Sequence, residues 1–232
     1  MSINKSIANI EDLQRKLDPL LSEAVRKDMA EFAQTWEEFI AVNEEVRSLA
    51  LANSNTRAAA LSAKEVRTAF EKAQKSIGML VERLKSRMTT NNNIDELRAT
   101  GIIQILAAEI QLGLLKIQRD EKNIILAPTL EEMKVFENEM NKTFTLIEEK
   151  IRELENLVPE SDKPIINLFK RELDNFMTAH IEVIDLSKQN TNVRAFTLAS
   201  EKGNTLLIQA EKYLQAIIND AESRMASDKD AS

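Results

Sequence analysis

Asn53-Ser54-Asn55-Thr56-Arg57-Ala58-Ala59-Ala60-Leu61 returns 137 residues later as Asn190-Thr191-Asn192-Val193-Arg194-Ala195-Phe196-Thr197-Leu198. Two Asn, the Arg-Ala pair and the Leu fall at the same offsets in both stretches. Asn leaves the helical conformation readily, so each stretch reads as a corner where one helix ends and another opens. Extended from the corner without a gap, the match runs from about Ile10 to Met88 against Ile147 to Met225. Phe32 and Phe39 meet Phe169 and Phe176, Glu45-Val46 meets Glu182-Val183, and Ser86-Arg87-Met88 meets Ser223-Arg224-Met225. Leu, Glu and Lys coincide between any two amphipathic helices. Paired Asn, Arg and Phe do not, and they mark a tandem duplication.

The second copy reads as complete from about residue 93. The first starts partway, residue 3 aligning with residue 140. The counterpart of roughly residues 93–139 is missing from its front, so Met1 is expected to be a start placed inside a larger protein. Composition agrees with long helices. Only 4 Gly and 4 Pro occur in 232 residues, too few for the turns of a multi-stranded fold. A net charge of −7, with basic residues interleaved among acidic ones, argues against nucleic acid as a partner. The absence of Cys excludes disulfides and thiolate metal sites, and one His without zinc-ligand spacing leaves neither a metal nor a cofactor to expect. No run approaches the roughly 18 apolar residues of a membrane span. The longest, Ile102 to Ile117, is broken by Gln104, Glu109, Gln111 and Lys116, and no signal-peptide core follows Met1.

Spacings of three and four predict four helices in the complete copy. The first runs from about Ile94 to Ala127, capped by Asn93, with Leu97, Gly101, Ile105, Ala108, Leu112 and Leu115 in its seam. Pro128 ends it and Thr129 caps the second, which carries Met133, Met140, Ile147, Ile151 and Leu154 and stops at Pro159. The third carries Ile166, Phe169, Leu173, Phe176, His180 and Val183. The fourth carries Val193, Phe196, Ser200, Gly203, Leu207, Ala210, Leu214, Ile217 and Ala221. The partial copy adds a helix opened by Asp18-Pro19, with Phe32, Trp36, Phe39 and Asn43 in its seam, and a second through Val66, Phe70, Ile77 and Leu84. The predicted fold is all-α, an antiparallel up-down four-helix bundle over 93–226 with a partial second copy over 1–90, about six long helices in total. Thr89-Thr90-Asn91-Asn92-Asn93 is the expected boundary, and residues 227–232 are expected to be a disordered tail.

With the helices placed, residues 93–226 resemble the four-helix-bundle sensor domain of bacterial methyl-accepting chemotaxis receptors, and residues 24–88 repeat its last two helices. The resemblance rests on Arg119-Asp120-Glu121-Lys122-Asn123-Ile124-Ile125-Leu126 closing the first helix, on the aromatic seam of the third, and on a fourth that opens after an Asn corner. A six-helix variant with two stacked bundles fits the helix count as well. The resemblance implies a non-enzymatic, extracytoplasmic (periplasmic) ligand-sensing module of a membrane-anchored receptor, binding a small molecule and transmitting a helix shift. The two long helices of the partial copy carry apolar stripes that need covering, so either a homodimer through residues 18–88 or packing of that hairpin on the complete bundle is expected. The competing reading is a helical scaffold that binds partner helices or lipid.

Polar residues in a seam are unfavourable unless paired, and so mark candidate sites. His180 continues the third seam and Arg119 the first, at the same tip of the bundle. Arg119, Lys122, His180, Asn190 and Arg194 are therefore the expected ligand-binding residues. Their positive charge suits a small carboxylate, since guanidinium makes bidentate contacts. Arg119 pairing instead with Asp120 or Glu121 is the structural alternative. No nucleophile with its base, no paired carboxylates in one cavity and no Glu-x-x-His pair occur, so no catalytic residues are expected.

Overall fold

The computed structural model describes residues 3–17, 23–90 and 93–230. Its elements are helices: α1 (Ile3–Leu17), α2 (Glu23–Ala52), α3 (Ser54–Leu61), α4 (Arg67–Thr90), α5 (Ile94–Leu126), α6 (Leu130–Leu157), α7 (Lys163–Gln189), α8 (Thr191–Leu198) and α9 (Asn204–Asp230). The start proposed at Asp18-Pro19 lies outside the described residues, as do positions 91 and 92 of the expected boundary. Residues 227–230, expected in a disordered tail, belong to α9.

Local signals set the helix ends where the sequence places them. The Asn93 side chain accepts from the Asp95 N–H at 3.0 Å, and Thr129 Oγ1 accepts from the Glu132 N–H at 3.2 Å. Asp95, Glu96, Glu131 and Glu132 add negative charge to those first turns, favourable against the helix dipole. Asn53 and Asn190 both sit at φ 47°, the left-handed region that Asn tolerates better than most side chains. Beyond each corner the helix carries one π turn, Ser62–Val66 and Ala199–Gly203. The duplication therefore preserved a corner and a π turn together.

The chain divides into two compact units, and neither is a repeat copy. Residues 53–191 form the central unit, and the segments before and after them the terminal unit. In the central unit α5, α6 and α7 are joined not by α8–α9, as a contiguous bundle over 93–226 requires, but by α3–α4. The reason lies at the corners. Thr191 Oγ1 accepts from the Ser54 N–H at 2.9 Å, and Ser54 Oγ from the Thr191 N–H at 3.1 Å. Each hydroxyl caps the helix opened by the other corner. This crossed capping lays the segment after the first corner along the helix before the second, and α3 and α4 accordingly pack on α7. Helices α2 and α9 pack on each other in the terminal unit.

The central core is built on Phe169, Phe176, Ile77, Leu80, Ile110 and Leu114, all fully buried. Each contributes roughly 1.5–3 kcal/mol of burial. The seams read from α4, α6 and α7 largely hold; that of α5 does not. Ile103, Leu106, Ile110, Leu114, Ile117 and Ile124 face the core, while Ile105, Leu112 and Leu115 are exposed. Helix α5 carries two interleaved apolar stripes, and the one with six large residues buries more area than one diluted by Gly101 and Ala108. Along α8, its π turn and α9 the same half-failure occurs: Gly203, Ala210 and Ile217 are buried, but Phe196, Leu207 and Leu214 are exposed.

At the far end of the central unit Asp162, fully buried, holds two arginines of α4. Arg87 Nη1 and Nη2 meet its two oxygens at 2.6 and 3.1 Å, and Arg83 Nε lies 3.0 Å from Oδ1. A fragment spanning residues 53–191 keeps this clamp, the crossed caps and the whole core. It should melt as one cooperative transition by circular dichroism, whereas a 93–226 fragment, deprived of α3–α4, should not. The reverse result would show that the repeat copy, not the compact unit, is the folding unit.

Candidate functional site

Helix α5 brings two consecutive carboxylates, Asp120 and Glu121, into the interior on the stripe that also buries Ile117 and Ile124. Glu121 gathers partners from three helical segments. His180 Nδ1 of α7 lies 2.5 Å from its Oε2. Ser62, the first residue of the π turn before α4, donates to its Oε1. Lys122 Nζ reaches the same oxygen at 3.1 Å and also donates to Ser62 Oγ. The fourth segment joins through Met140 of α6, whose sulfur meets His180 Nε2. An ionised carboxylate can only accept, so Nδ1 carries the proton of the His180–Glu121 bond. Phe176 packs beside His180, the ring centroids 5.6 Å apart and the planes tilted by 34°.

Burial pushes the Glu121 carboxyl up, but the hydrogen bond and charge of His180, then the Ser62 hydroxyl and the Lys122 ammonium, outweigh it. The net effect holds Glu121 below the ordinary glutamate value. Asp120 is also buried. Its Oδ1 accepts from Arg119 Nε at 3.0 Å and Nη2 at 2.8 Å, and its Oδ2 has no hydrogen-bond partner among the described residues.

The expected site residues separate under this geometry. His180 and Lys122 come together around Glu121. Arg119 is directed to Asp120, the alternative that its sequence neighbours suggested. Asn190 is a corner residue with both ends of its amide engaged: Nδ2 donates to the Pro128 carbonyl at 2.9 Å, and Oδ1 accepts from Asn55 Nδ2 at 2.8 Å. Arg194 is exposed and belongs to the terminal unit. Glu121, Asp120, Ser62 and Met140 were not singled out as a site from the sequence. The spacing Leu114, Ile117, Glu121, Ile124 would have placed Glu121 in the seam had the inner stripe of α5 been chosen.

A family model described as a four helix bundle sensory module for signal transduction matches residues 84–231. The chain belongs to this family. No curated protein and no solved structure matches it. The resemblance drawn from the close of α5, the aromatic seam of α7 and the Asn corner thus holds at the level of the family. The matched span of the sensory module crosses the boundary between the compact units, since it takes in α5–α7 and α8–α9 together. The buried ionised layer lies inside that span except for Ser62, which the first copy supplies.

Proposed function

We propose that this sensory module is the extracytoplasmic, periplasmic ligand-sensing part of a bacterial membrane chemoreceptor. In this reading it binds a small molecule and converts binding into a shift of helices. The observation that carries the reading is the layer of Ser62, Glu121, Met140 and His180, one residue from each helical segment of the central unit. Buried charge is stable only while its partners stay in place. A ligand that draws Lys122 or Arg119 away changes what Glu121 and Asp120 must find inside the bundle, and so shifts the balance between helix arrangements. Lys122 and Arg119 each keep about half of their side chain in solvent, within reach of a small carboxylate.

Carboxylic acids should therefore raise the melting temperature in a thermal-shift screen. Arg119→Ala or Lys122→Ala should weaken the binding at least tenfold by calorimetry, since a charge-assisted bond contributes about 1.5–3 kcal/mol. If only amines bind, or if neither substitution matters, the anion reading fails.

The outer stripe of α5 supports a homodimer. Ile105, Leu112 and Leu115 are exposed at coiled-coil spacing, with Gly101 and Ala108 on the same stripe. By length and composition α5 could also cross a membrane, but its inner stripe is core. Sedimentation should give a dimer that Leu112→Glu converts to a monomer. Association without any small-molecule response would favour the scaffold reading instead.

A further inference from the structure

We infer that Met140 and His180 form a buried two-ligand site for a soft monovalent cation, Cu(I) or Ag(I). The sulfur of Met140, on α6, meets Nε2 of His180, on α7, and both residues are buried. A thioether carries no proton, so whatever joins the two atoms must be held by the nitrogen. A proton there makes only a weak bond, because sulfur is a poor acceptor. A soft metal ion in the same place is held by both atoms. Thioether sulfur selects Cu(I), and imidazole suits copper.

The rest of the layer prepares the imidazole for that role. Glu121 Oε2 takes the Nδ1–H at 2.5 Å, which leaves Nε2 aimed at α6. A carboxylate on the far nitrogen fixes the ring and makes the ligating nitrogen more basic. Charge decides the valence. A monovalent ion replaces the Nε2 proton one for one, and the ring keeps the single positive charge that faces Glu121. The proton leaves to water and no electron moves. A divalent ion would bring a further charge into the interior, where an unpaired charge is strongly unfavourable. It would also want more ligands, and among the described residues no group of three or more His, Cys, Asp or Glu is placed to hold a metal. Phe176, tilted against the ring, adds an apolar wall that keeps water from the nitrogen. Met140 supplies the room, because its three rotatable bonds let the sulfur withdraw.

Binding has a mechanical consequence, and only this consequence rests on the sensory reading. In the central unit α6 packs chiefly on α5 and only slightly on α7. An ion shared by Met140 and His180 joins two helices that otherwise touch little. It does so at the layer where Glu121 already ties α5 to α7.

The test uses the full chain, freed of metal, and silver nitrate in chloride-free buffer. His180 is the one histidine, so isotope labelling of histidine nitrogen gives a single imidazole to follow by magnetic resonance. Calorimetry should show one equivalent of Ag(I) bound. The Nε2 resonance should shift while the Nδ1–H resonance persists. Met140→Leu nearly conserves volume and should keep the circular dichroism melt, yet abolish that equivalent. Glu121→Gln should weaken it by roughly 10–100-fold. Cu(I) kept reduced with ascorbate should displace the silver. An Nε2–H that survives excess silver overturns the proposal, and so does an affinity that Met140→Leu leaves unchanged. Silver is titrated without carboxylates and carboxylates without metal, so this site and the carboxylate reading fail separately.

Discussion

Glu121→Ala is expected to destabilise the central unit by about 3–5 kcal/mol, the range for removing one member of a buried ionic pair. His180 is fully buried and cannot turn to water, so its Nδ1–H loses the acceptor it has among the described residues. Lys122 can relax outward and contributes less. Glu121→Gln keeps one accepting oxygen and should cost about 1–3 kcal/mol. Replacing both partners with apolar residues, as in Glu121→Met with His180→Leu, should recover most of the loss, because no polar group is then stranded.

The pH dependence follows from the direction of the Glu121 shift. Its carboxyl titrates lower folded than unfolded. The stabilisation is therefore complete above the unfolded value of about 4.3 and disappears as pH falls through the folded one. Glu121→Gln should flatten the acid limb of the stability profile relative to the parent. Equal acid slopes in urea melts of the two proteins would show that the pair is not the titrating element.

The corner was the most legible part of the sequence because its chemistry is local. An Asn at the helix end, a hydroxyl after it and a repeat of both leave few backbone solutions, and Asn53 and Asn190 adopt the same one. Helix caps at Asn93 and Thr129 were legible for the same reason. The seam of α5 was not, because a helix with two apolar stripes satisfies the same periodicity in two rotations. Choosing between them takes knowledge of the partners. That single ambiguity also hid the site, since Glu121 lies on the stripe not chosen and Arg119 on the one that was. The exchange of α3–α4 for α8–α9 was hidden more deeply. Two copies of one sequence can exchange equivalent helices with little change in which types of residue meet. The hydrogen bonds between Ser54 and Thr191, 137 positions apart, and the bond from Ser62 to Glu121, for which the counterpart Ala199 has no hydroxyl, distinguish the two pairings.

The Asp162 clamp should be the second most sensitive place, with Arg87 costing more than Asp162 itself, an asymmetry that tests how the clamp works. Its carboxylate is fully buried, while Arg87 keeps about a third and Arg83 about half of its side chain in solvent. Asp162→Ala releases two arginines that can rehydrate, and should cost about 2–3 kcal/mol. Arg87→Ala instead leaves a carboxylate that cannot reach water and, among the described residues, keeps the Arg83 ion pair alone, and should cost about 3–5 kcal/mol. Arg87→Lys should recover only part of that loss, because an ammonium cannot reproduce the two-pronged contact with Oδ1 and Oδ2. Urea melts of the three variants give the order directly, and Asp162→Ala as the most damaging of them would sink the argument. Asp162, the residue that leads into α7, lies eighteen residues before His180, roughly 27 Å at helical rise. The lower pair binds α7 to α4, and the upper layer binds it to α5 and to the π turn that opens α4. With α7 held at both levels, α4 and α7 must move as one body. Arg87→Ala frees the lower level alone, so amide exchange should quicken around residues 83–90 and 160–166 while the His180 layer keeps its protection.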